Sequence, residues 1–123
     1  MPPGLPGSRT RAERFEADVR QAVDRVHRRL GKSLDAVEFG IEDLPPSSPA
    51  PWEAGSVPLG RYFPADSAAG LRHRVVLYRR PIEARAEDHL ELRDLIREVV
   101  VEQVAHLLGR PPSDIDPGFR RDG

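Results

Sequence analysis

Apolar residues recur at helical steps near both ends of the chain and in strand-like runs between them. Phe15, Val19, Ala22, Val23, Val26 and Leu30 fall three and four residues apart and build one apolar face, which predicts a helix over about residues 11–30. Thr10 stands in front of it with Glu13 three residues on, the spacing of a capping box, and Gly31 is a natural stop. Val37, Phe39 and Ile41 then alternate with polar or small residues, as in a half-buried strand. Residues 44–56 are rich in Pro, Ser and Gly and read as a loop, with Trp52 an anchor on the core or the lining of a groove. Residues 57–63, interrupted by Pro58, predict a short strand at a sheet edge. Val75, Val76, Leu77 and Tyr78 form a continuous apolar centre, the pattern of a strand covered on both faces, and Pro81 is expected to end it. A second helix is predicted from about 86 to 108, its stripe supplied by Leu92, Leu95, Ile96, Val99, Val100, Val104, Leu107 and Leu108. Gly109, Pro111 and Pro112 stop it, and the tail is read as one short turn capped by Ser113.

Helix, three strands, helix is an order that fits an α+β domain, with a small mixed sheet packed against two main helices. At 123 residues the chain fits one domain, placed at residues 10–119. Residues 1–9 are read as a disordered N-terminal tail and 120–123 as a C-terminal tail.

Composition narrows the chemistry. There is no cysteine, which removes disulfides, thiolate metal sites and cysteine nucleophiles together. The formal net charge of -1 gives no global attraction for nucleic acid or an anionic membrane, so neither is expected as a partner. No apolar run approaches the roughly 20 residues that span a bilayer, and the N-terminus lacks the apolar stretch of a signal peptide, so a cytoplasmic location is expected. Phosphate-cradling glycine motifs and the G-x-S-x-G elbow are absent from the sequence.

The second helix carries Glu102, Gln103 and His106, followed by Gly109. A zinc peptidase helix carries H-E-x-x-H, two histidine ligands with a glutamate base between them. Here the window reads E-Q-x-x-H. Around it stand an acidic residue with Leu-Pro-Pro at Asp43 to Pro46, a Leu-Gly-x-Tyr phrase at Leu59 to Tyr62, and Leu77, Tyr78, Arg79, Arg80, Pro81, Ile82 and Glu83 in succession. In their order and spacing these phrases resemble the small bacterial zincin-like metallopeptidase family over roughly residues 12–119. The resemblance implies a minimal zincin fold, with His106 at the place of the second histidine ligand. It also puts Glu102 where the first histidine stands and Gln103 where the base stands.

Glu102 and His106, four residues apart, project from the same side of a helix and supply two metal ligands at most. The third would come from the tail, from Asp114 or Asp116, because Pro112 occupies the position three residues past the motif glycine. Gln103 is an amide and cannot take the proton of a metal-bound water. Two readings follow. In the first, the domain has lost catalysis, needs no cofactor and binds a peptide or protein at its cleft. In the second, it is an atypical zinc peptidase held together by Glu102, His106 and Asp116. As plain helix surface, Glu102 and His106 would be an ordinary i,i+4 pair. His27 reads as solvated surface, His73 and His89 as residues near the cleft, and Arg72, Arg74, Arg79 and Arg80 as the flank of a strand or a hold on a carboxylate or phosphate.

Overall fold

The computed structural model describes residues 10–46 and 57–118. Trp52 and most of its loop, the two tails and Phe119 lie outside the described residues. Helix α1, Arg11–Leu30, begins at the expected capping box: Thr10 Oγ1 accepts from the Glu13 amide at 3.1 Å and the Thr10 amide donates to Glu13 Oε1 at 2.9 Å. Phe15, Val19, Ala22 and Val26 are its buried face. Gly31 takes φ 54°, a left-handed value that glycine adopts without a Cβ clash, and a short 3-10 turn leads on.

Three strands follow: β1 (Val37–Glu42), β2 (Gly60–Phe63) and β3 (His73–Tyr78). Their order in the sheet is β1-β3-β2. β3 is central, parallel to β1 (Val37 opposite His73) and antiparallel to β2 (Gly60 opposite Leu77). Central placement explains the apolar run. With neighbours on both sides, Val75, Val76, Leu77 and Tyr78 are all buried, while the outer strands keep half-buried and exposed positions.

Three details amend the expectations. β3 ends at Tyr78, before Pro81, which sits in the first turn of a short helix, α2 (Arg79–Arg85), where its missing N–H costs nothing. Arg79 pins the start of that helix, with Nε 3.1 Å from Asp43 and Nη1 3.1 Å from Glu83. The motif helix, α3 (His89–Leu108), starts later than expected because Asp88 caps it, accepting from the Glu91 amide at 2.8 Å. In the tail, α4 (Pro112–Ile115) has no side-chain cap, and Ser113 lies inside its first turn rather than in front of it.

The core lies between one face of the sheet and the helices. Val75 and Leu77 meet Phe15, Val19 and Val26 of α1, Ile82 of α2, and Ile96, Val100, Val101 and Val104 of α3. Ile115 closes it from α4. No helix among the described residues is long and apolar enough to cross a membrane.

Candidate functional site

Helix α3 presents two different faces. Val100, Val101 and Val104 turn into the core. Leu95, Glu98, Val99, Glu102 and Gln103 line a cleft of about 270 Å³ whose far side is Leu59 and Gly60, at the entry to β2, with Arg85 from α2. Gly60 makes this juxtaposition possible. A Cβ there would lie 2.8 Å from Val99 Cγ1, 3.1 Å from the Val76 carbonyl oxygen and 3.6 Å from Gln103 Cγ. Only a residue without a side chain lets strand and motif helix meet so closely.

Glu102 and Gln103 are half-buried in the cleft wall and His106 is exposed one turn on. The His106 ring packs against Tyr62 of β2, centroids 5.6 Å apart and tilted by 57°. Tyr62 in turn stacks on His73 of β3 at 5.8 Å, with its hydroxyl 2.9 Å from His73 Nδ1. The Ala65 amide also donates to that nitrogen, at 3.2 Å. A backbone N–H can only donate, so Nδ1 is an acceptor, the Tyr62 hydroxyl is the second donor, and the His73 proton sits on Nε2.

The proposed metal set does not assemble. Asp116 is 2% exposed and faces Arg25 Nη2 at 3.5 Å and Arg97 Nε at 3.6 Å, while its Oδ1 also accepts from the Gly118 amide at 3.1 Å. Arg97 and Glu102 are five positions apart, about 140° around a helix, and His106 lies about 180° from Arg97, so the tail carboxylate is on the other side of α3 from the motif. The hydrophobic Ile115 draws α4 under the helices and carries Asp116 with it. Asp114 stays exposed beside Arg110, at 3.6 Å. Among the described residues no three His, Asp or Glu side chains are placed to hold a metal ion. With no third donor among the described residues, Glu102 and His106 do not make up a zinc centre of three protein ligands.

The other candidates are placed as follows. His89 does not approach the cleft; its Nε2 is 2.9 Å from Asp18 Oδ2 and ties α3 to α1. His27 is exposed at the end of α1, with Nε2 3.1 Å from Asp35. Arg74 pairs with Glu42 across β1 and β3, and Arg79 with Asp43 and Glu83, so these arginines serve as internal fasteners. Arg85 and Leu95 were not anticipated as cleft residues. Helical spacing puts Leu95 on the line of Glu98 and Glu102, but nothing local points Arg85 there.

The mixed sheet and the helix laid against its β2 edge match the α+β architecture expected from the sequence. The model of the zincin-like metallopeptidase family matches residues 34–119. The chain belongs to the zincin-like metallopeptidase family. The match includes the sheet, the cleft and the whole of α3, and begins after α1. No curated protein matches the chain. Zincins in general bind zinc.

Proposed function

We propose that this zincin-like domain has lost peptide hydrolysis and binds an extended peptide along the outer edge of β2. The observation that carries the reading is Gln103 at the base position, lodged against Gly60 in the cleft wall. An amide there cannot take up a proton from water, while its carbonyl and amide groups remain free to contact a bound chain. The strand supplies the rest. Tyr78 N–H donates to the Leu59 carbonyl oxygen at 2.9 Å, which makes Leu59 and Tyr78 a bonded pair. By alternation the N–H and C=O groups of Gly60 and Tyr62 point away from β3. Among the described residues no strand pairs with that side of β2. An extended peptide can add there as a fourth strand, with main-chain bonds for affinity and the cleft for a side chain.

The test has two parts. Elemental mass spectrometry after dialysis against zinc and then metal-free buffer is expected to find far less than one zinc per chain. Titration with unstructured ten-residue peptides is expected to shift the backbone amide resonances of Gly60 and Tyr62 and the side-chain amide of Gln103. Zinc-dependent cleavage of such a peptide, abolished by His106→Ala, would refute the reading.

A further inference from the structure

On the opposite side of α3 from the motif, a trough of about 450 Å³ runs between α1 and α3. From α1 it is lined by Asp18, Gln21, Ala22, Arg25 and Arg28, and from α3 by Leu90, Arg93, Asp94 and Arg97. Both sets follow three- and four-residue steps, so each is a single stripe of its helix and the arginines confront one another across the gap.

Three features make this more than a charged helix surface. First, the acids there are largely committed: Asp18 to His89, and Asp116 to Arg25 and Arg97 together. Arg28 and Arg93 form no ion pair with a described carboxylate, and of the lining carboxylates only Asp94 is left opposite them. Second, Asp116 is buried, and one of its oxygens, Oδ2, has no hydrogen-bond partner among the described residues. A buried carboxylate fixed in place holds the two guanidiniums it faces from below, and their remaining N–H groups are left for a ligand above. Arg25 is 49% and Arg97 36% exposed, so both heads still reach the trough. Third, Leu90 lines the same trough and is 70% exposed, an apolar surface beside the arginines.

We propose that the trough binds a phosphate monoester of a small organic molecule, its phosphate held by Arg28 and Arg93 with Arg25 and Arg97 beneath and its organic part against Leu90. Planar guanidinium forks match phosphate oxygens in pairs. The volume falls within the range of small-molecule sites. The site is separate from the cleft and does not depend on the peptide-binding reading.

Phenyl phosphate, inorganic phosphate and phenol are the probes, titrated into the full chain by calorimetry at low ionic strength. Phenyl phosphate is expected to bind, inorganic phosphate more weakly, and phenol not at all. The double variant Arg28→Gln with Arg93→Gln is expected to weaken phenyl phosphate by about tenfold or more, the scale of losing charge-assisted hydrogen bonds. Both positions are exposed, so the fold is retained and an unchanged circular dichroism melt verifies it. Glu102→Ala serves as a control that leaves binding unchanged. No binding of phenyl phosphate to the folded wild-type chain would overturn the proposal, as would binding that survives the double variant. Equal affinity for inorganic phosphate would overturn the role given to Leu90 and the organic group.

Discussion

Gly60 and Tyr78 show how much a single atom decides in this domain. At Gly60 there is no room for a methyl group between β2 and α3, and the atoms in the way are a stiff β-branched Val99 and a backbone carbonyl. Gly60→Ala is therefore expected to destabilise the fold by about 1–3 kcal/mol, the usual scale of overpacking; urea denaturation followed by circular dichroism checks it. At Tyr78 the hydroxyl is buried without a hydrogen-bond partner among the described residues. Burial raises its pKa above the ordinary tyrosine value, with Glu42 adding to the rise and Arg61 and Arg74 opposing it. The folded state thus holds this proton more tightly than the unfolded chain. Its contribution is complete below the unfolded tyrosine pKa of about 10 and is lost as pH climbs from there through the higher folded value. Tyr78→Phe is expected to leave stability at pH 7 unchanged or slightly higher, since it removes an unpaired buried hydroxyl. It is also expected to flatten the loss of stability above pH 10, which denaturation at pH 7 and pH 11 would compare.

Among the elements, α3 carries the most. One stripe fills the core, a second lines the cleft and a third faces α1, so nearly every position has a structural use. Its start depends on Asp88, and Asp88→Ala is expected to cost about 1 kcal/mol through loss of the N-cap, again by urea denaturation. The helix also bears on what rebuilding the motif would achieve. Glu102→His with Gln103→Glu restores H-E-x-x-H on the intact cleft face, yet no third donor stands opposite it among the described residues. The double variant is expected to bind zinc well below the affinity of a three-ligand site, measured by competition with a zinc chelator. Tight stoichiometric binding would show that a donor outside the described residues completes the site. Helical periodicity made the stripe of α3 readable in advance. It missed α2, because Pro81 is tolerated in a first turn, and it began α3 about three residues early, because that start depends on the Asp88 cap.

At the scale of the molecule, the tail is the joint that matters. Asp116 draws together Arg25 of α1 and Arg97 of α3 from its place after α4. Asp116→Asn is expected to destabilise by about 1 kcal/mol rather than the larger cost of a fully buried pair, because both guanidiniums are part-exposed and the contacts are long. Excess zinc is expected to leave the melting temperature unchanged, since a ligand raises it only by binding the folded state; a thermal scan with and without zinc decides. Local patterning determined a good deal by itself. The period of apolar residues, the Thr10–Glu13 box and the glycine stops set out α1, the three strands and α3, since each depends on neighbours within a few positions. That position 103 is an amide was equally plain, because it is a matter of residue identity. What only the tertiary structure decided is where distant segments meet. The sequence offers Asp114 or Asp116 as a third donor beside Glu102 and His106, yet Asp116 turns to the opposite side of α3, where Ile115 finds the core and two arginines take the carboxylate. The approach of Gly60 to Gln103 and the convergence of four arginines between α1 and α3 are of the same kind. They depend on how two helices and a strand pack, and packing is set by the fit of whole faces rather than by any short stretch of chain.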